Sequence, residues 1–185
     1  MVVTKVKQIK SVNKLADGIK YIEDGAKTIG TELIDSDLNF PVKVVDGQIV
    51  SQLVSGNLVI DVESAYSEFM MLKQLANLEK GRPINNEELV ENDVLAHHLI
   101  QSFSPEDNLT PEQVHEIGRK TALELTGGSH QFVIATHMDK GHLHNHIYIN
   151  STNSVTLNKF RWQKGTKKAL EQISDKYADL AGAKI

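Results

Sequence analysis

Val2 to Ile9 alternates apolar and polar positions and is rich in β-branched residues, which predicts a first strand. Val12, Leu15, Ile19 and Ile22 then fall on one helical stripe and predict a helix over about 12–24. Residues 25–50 carry Gly25, Gly30, Pro41 and Gly47 and read as loops, with a small hairpin around Asp46-Gly47. Leu53 to Ile60 reads as a strand, and Ser64 to Leu78 as a helix that buries Ala65, Phe69, Leu72 and Ala76. Val94 to Phe103 is a further strand. Thr110-Pro111-Glu112-Gln113 supplies an N-cap, a proline in the first turn and a capping-box glutamine, and Gly127-Gly128 closes that helix. Gln131–Thr136 and Leu143–Ser151 are two β-rich runs joined by a polar turn. A last helix over 163–181 turns Leu170, Ile173, Tyr177 and Leu180 inward.

This order of elements predicts an α+β fold, a mainly antiparallel central sheet with helices packed on one face. The 185 residues, 40% apolar and 24% charged, suit a single domain with a real core. The absence of cysteine removes disulfides, thiolate metal sites and cysteine nucleophiles. The N-terminal MVVTKVKQIK has no apolar core of a signal peptide, and no run approaches a bilayer span, so a cytoplasmic location without membrane insertion is expected. The net charge of −4 argues weakly against a general nucleic-acid coat, but its distribution matters more. Lys5, Lys7, Lys10, Lys14 and Lys20 cluster near the start, and Lys159, Arg161, Lys164, Lys167 and Lys168 near the end. Acids concentrate between them, around 87–93 and 106–116.

Four of the eight histidines lie within ten residues, His137, His142, His144 and His146, with Asp139 among them. In a strand His144 and His146 point the same way, about 7 Å apart. Pairing of the two β-rich runs as a hairpin brings His137 to the same place. Ile147 and Ile149 occupy the opposite face, which suits a core. Three neutral imidazoles can hold a divalent cation and leave positions open for substrate. The competing reading is a solvated, histidine-rich turn, with Asp139 as a turn residue.

HMDKGHLHNHIYINSTN resembles the third motif of conjugative DNA relaxases, the three-histidine (HUH) endonucleases of the mobilisation type MOBP. TKVKQIKSVNKLADGIKYIEDGAKT is similar to the first motif, with its tyrosine ahead of a Lys-Thr pair. HHLIQSFSPEDNLTPEQVHEIGRKTALELTGG is similar to the second. Residues 35–60 match less well. The resemblance implies an HUH-like palm and one nicking domain over 1–185, the N-terminal part of a longer protein. It implies His137, His144 and His146 as metal ligands and Tyr21 as nucleophile. Ser102 would hold DNA near the cleaved bond, and Asp139 would tune the first histidine. His142 satisfies the literal His-hydrophobic-His pattern with His144 and stays as a further candidate.

Tyr21 lies about 140° from the mean direction of its helix's apolar stripe, so it is not a core position there. Tyr148 shares the face of His144 and His146 and is the rival nucleophile. Lys159-Phe160-Arg161-Trp162-Gln163-Lys164 interleaves charge with rings, as a single-strand binding surface does, and Lys5 and Lys7 add charge. A basic helix start with Trp162 packed beneath it is the competing reading. His97, His98, His115 and His130 read as structural or exposed, with His98 on the strand face of Ser102.

The implied reaction is attack by Tyr21 on single-stranded DNA at an origin of transfer, giving a 5′-phosphotyrosine that can be religated. The expected cofactor is Mg or Mn, with Zn, Co or Ni binding in vitro. The expected partners are origin-of-transfer DNA, an accessory DNA-binding protein and the coupling protein of a secretion system. The alternatives are a rolling-circle replication initiator, a three-histidine metal hydrolase without a covalent intermediate, and a non-catalytic DNA-binding module. In initiators the tyrosine usually follows the histidines, whereas Tyr21 precedes them.

Overall fold

A computed structural model of the chain describes residues 2–23, 42–45, 48–51, 53–81, 93–138 and 141–183. Its centre is a five-stranded antiparallel sheet built from β1 (Val3–Ile9), β4 (Val54–Asn57), β5 (Ala96–Ser102), β6 (His130–His137) and β7 (His144–Asn153). The spatial order is β1-β5-β7-β6-β4, so β7 is the middle strand. A separate hairpin pairs β2 (Val42–Val45) with β3 (Gln48–Ser51), while the Asp46-Gly47 turn read from the sequence lies outside the described residues. The helices are α1 (Val12–Ile22), α2 (Ala65–Glu79), α3 (Pro111–Thr126) and α4 (Thr166–Leu180).

Paired residues of neighbouring strands share a face, so the register sorts the sheet into two sides. His144, His146 and Tyr148 of β7 stand with Ser102, Ile100 and His98 of β5 and with His137, Ala135 and Val133 of β6. Ile147 and Ile149 stand on the other side with Leu99, Ile134 and Phe132. That second side is covered by α3 and α4 through Ala122 and Leu170, the one-face covering expected from sequence. The histidine side carries helices too. Leu15, Ile19 and Ile22 of α1 and Ala65, Phe69 and Met70 of α2 pack there with Val133, Ala135 and Tyr148. The α+β class and the antiparallel sheet stand, and the arrangement of helices is corrected to one pair on each face.

Local signals behave as read at α3. Thr110 Oγ1 accepts from the Gln113 amide at 3.2 Å, Gln113 Oε1 accepts from the Thr110 amide at 2.9 Å, and Gly127 ends the helix at φ 71°. In α4 the buried line is Leu170, Ser174 and Ala178. Two small residues on that line let the helix lie close, and Leu180, about 120° from its mean direction, is 76% exposed instead of inward.

Candidate functional site

The three histidines converge at the meeting of β6 and β7. His137 opposes His144 across the strand pair, and Ala135 opposes His146. One ring nitrogen from each of His137, His144 and His146 lies within 4.8 Å of the other two. His137 and His144 are buried and His146 half-buried, so the rings are held by packing. His142 is exposed, outside that group, with its ring 5.3 Å from His144 and its carbonyl 3.4 Å from His144 Nδ1.

The rings are also oriented by partners. A helix leaves its last carbonyls without intrahelical donors, and the Ile22 carbonyl at the end of α1 accepts from His137 Nε2 at 2.8 Å. A carbonyl only accepts, so His137 carries its proton on Nε2 and its lone pair on Nδ1. His146 Nδ1 lies 2.9 Å from His98 Nε2. Convergent imidazole nitrogens of this kind suit a divalent cation, because bonds of about 2.0–2.1 Å need only modest ring rotation from the separations present.

Tyr21 sits in the last turn of α1, one residue before Ile22. The residue is 54% exposed, and its ring lies edge-on to His137, with centroids 6.1 Å apart. Tyr148 is 4% exposed and stacks on His98 at 4.3 Å, and burial pushes its phenol pKa up. Gly18 of α1 covers it: a Cβ there would stand 2.2 Å from the Tyr148 hydroxyl. The two rival tyrosines thus differ, one open beside the histidines and one sealed under a helix.

Ser102 pairs directly with His144 at the end of β5. Lys5 and Lys7 on β1 pair with Ile100 and His98, so both exposed ammonium groups stand on the histidine face. Asp139 lies outside the described residues. Arg161 and Lys164 are exposed, but Trp162 packs against the Leu99, Ile147 and Ile149 side, 5.8 Å from the His97 ring. Trp162 is therefore on the face opposite the three histidines, packed as the competing reading expects.

Residues 45–182 match the family of MobA/VirD2-like relaxases, nuclease domain. The chain belongs to that family. It is similar to the group II intron-interrupted relaxase LtrB of Lactococcus lactis subsp. cremoris, 43% identical over 213 residues, covering 100% of this chain and 38% of that protein. Protein rlx of Staphylococcus aureus is 37% identical over 125 residues, 68% of this chain and 35% of its own length. The chain thus spans little more than a third of these relatives. A solved structure described as the molecular basis of vancomycin resistance transfer in Staphylococcus aureus aligns with 100% of this chain and 96% of its own. Its TM-score of 0.54 at 12% identity supports the fold.

Two contacts at the histidine cluster are not legible in the sequence. The Ile22 carbonyl has no side-chain signature. His98, expected to be structural or exposed, is buried against His146 and Tyr148, and burial, followed by Lys7 and His137, lowers its pKa to about 4. Its face parity with Ser102 was visible; its neighbour across the sheet was not. Among the described residues no helix is long and apolar enough to cross a membrane.

Proposed function

We propose that this relaxase domain nicks single-stranded DNA at an origin of transfer by attack of Tyr21 and keeps the cut end as a 5′-phosphotyrosine. The observation that carries the reading is the exposed Tyr21 ring 6.1 Å from His137, beside the three clustered imidazoles. In the step, Tyr21 Oη forms a bond to the scissile phosphorus while the bond from phosphorus to the 3′ oxygen breaks. The phenolic proton leaves to a base, and the 3′ oxygen takes up a proton. Bond energy is retained in the phosphotyrosine, so the reverse attack by the 3′ hydroxyl reseals the strand.

His137, His144 and His146 are the residues that would hold a divalent cation, which supplies a Lewis acid for a phosphoryl oxygen. Mg or Mn is the proposed working ion, while imidazole donors also suit Zn, Co and Ni. Ser102, which pairs with His144, is assigned to holding the backbone near the cut, and Asp139 to orienting His137 or taking a proton. Lys5 and Lys7 offer backbone phosphates a positive edge on the same face. Any DNA held by Arg161, Trp162 or Lys164 is held away from the bond that is cut. An accessory DNA-binding protein and a secretion-system coupling protein complete the proposed setting.

The test is cleavage of single-stranded oligonucleotides from a panel of transfer origins with Mg or Mn, resolved on denaturing gels. One defined cut is expected, abolished by chelator and by Tyr21→Phe, with DNA retention by the variant preserved. A cut that persists in Tyr21→Phe contradicts the proposal.

A further inference from the structure

We propose that His98 is a positioning residue for the cation site: it fixes His146 as the Nδ1–H tautomer, so that His146 ligates through Nε2. This rests on the reading of the three histidines as a cation site. His98 Nε2 lies 2.9 Å from His146 Nδ1. A hydrogen bond between two neutral imidazoles needs one N–H and one lone pair. If His98 donated, His146 would carry its proton on Nε2 and turn an N–H toward the cation. In the other arrangement His146 Nδ1–H donates to the His98 lone pair, and Nε2 of His146 carries the ligating pair. A cation selects that second arrangement, and a partner built to accept lowers the cost of adopting it.

His98 is built for a fixed role. Its face stacks on Tyr148 at 4.3 Å with 17° between planes, and its Nε2 edge meets His146, with ring centroids 5.2 Å and planes 29° apart. Tyr148 is in turn pinned by the close approach of α1 at Gly18. The strand register sets the diagonal: His98 opposes Tyr148, and His146 opposes Ile100, two positions along β5. Ring orientation thus passes from α1 through Tyr148 and His98 to His146. His137 is oriented by the same helix through the Ile22 carbonyl. The helix that carries Tyr21 therefore sets two of the three clustered rings.

The experiment combines Mn titration calorimetry with nitrogen-15 NMR of the histidine rings in the metal-free protein. Wild type should bind one Mn and show His146 protonated on Nδ1. His98→Leu, which offers no acceptor, should mix the His146 tautomers and weaken Mn binding by about 10–100-fold. His98→Gln, whose amide oxygen can accept from Nδ1–H, should keep most of the affinity. Circular dichroism checks that each variant is folded. A wild-type His146 protonated on Nε2 overturns the inference and needs no variant. Unchanged Mn affinity in folded His98→Leu overturns it while leaving the cation site intact. Failure of wild type to bind Mn overturns the site reading and this inference together.

Discussion

Tyr21 and Tyr148 show how one close approach separates two side chains of identical chemistry. Strand alternation puts Tyr148 on the histidine face, but only the packing of α1 at Gly18 reveals that its hydroxyl is sealed. Tyr21 was separable in sequence because its angle from the Leu15–Ile19–Ile22 stripe is a local property, whereas contact between α1 and β7 is not. Gly18→Ala should destabilise the fold by about 1–3 kcal/mol through overpacking, despite a helix-propensity gain of about 1 kcal/mol. Adding Tyr148→Phe should recover part of that loss, because the nearest clashing atom is the hydroxyl oxygen. Urea melts of the two singles and the double measure the coupling; additive effects would contradict the contact. Tyr148→Phe alone should still form the covalent DNA adduct, and its loss in a folded variant would reopen the choice of nucleophile.

Helix α3 and strand β7 were the most legible elements, because each announces itself locally. The capping box at Thr110 and Gln113 and the glycines at 127–128 bracket α3. Alternation along 144–149 assigns His144 and His146 to one face and Ile147 and Ile149 to the other. Thr110→Ala should cost about 1 kcal/mol, seen as a lower urea midpoint at unchanged slope. An unchanged midpoint would mean that the cap contributes nothing. Less legible was what covers each face: stripes on α1 and α2 say that both are buried on one side, but not against which side of a sheet. The same gap hid the role of His98, whose partner is 48 residues away across β5 and β7. It also hid the position of Trp162, which aromatic and basic composition alone makes look like a DNA surface.

At the scale of the whole molecule, several histidines are buried, and this makes stability depend on acid. Burial, with a smaller contribution from Arg119, lowers the pKa of His115 to about 3, and burial also lowers those of His97 and His130 from 6.5. His115 bonds Ser55 Oγ at 2.6 Å and Thr136 Oγ1 at 2.9 Å. The unfolded chain takes up these protons below about pH 6.5 and the folded one does not, so stability present at pH 7 falls as pH drops. At His115 the unfolded chain holds one proton more than the folded one throughout the window between the two pKa values, so stability falls steadily as pH drops through it. Glu68 and Glu124 are lowered from 4.5, so they add to the loss only below that value. Metal-free melting temperatures should therefore decline between pH 6.5 and 5, and a flat profile there would contradict the burial of these rings.

In the proposed reaction Tyr21, beside His137, His144 and His146, is the group that takes the DNA. The most direct test is peptide mapping by mass spectrometry after incubation with cognate single-stranded origin DNA and Mn. A 5′-phosphodeoxynucleotide is expected on the peptide carrying Tyr21, absent with chelator and absent in His144→Ala. An adduct on Tyr148, or metal-dependent cutting with no tyrosine labelled, would contradict it.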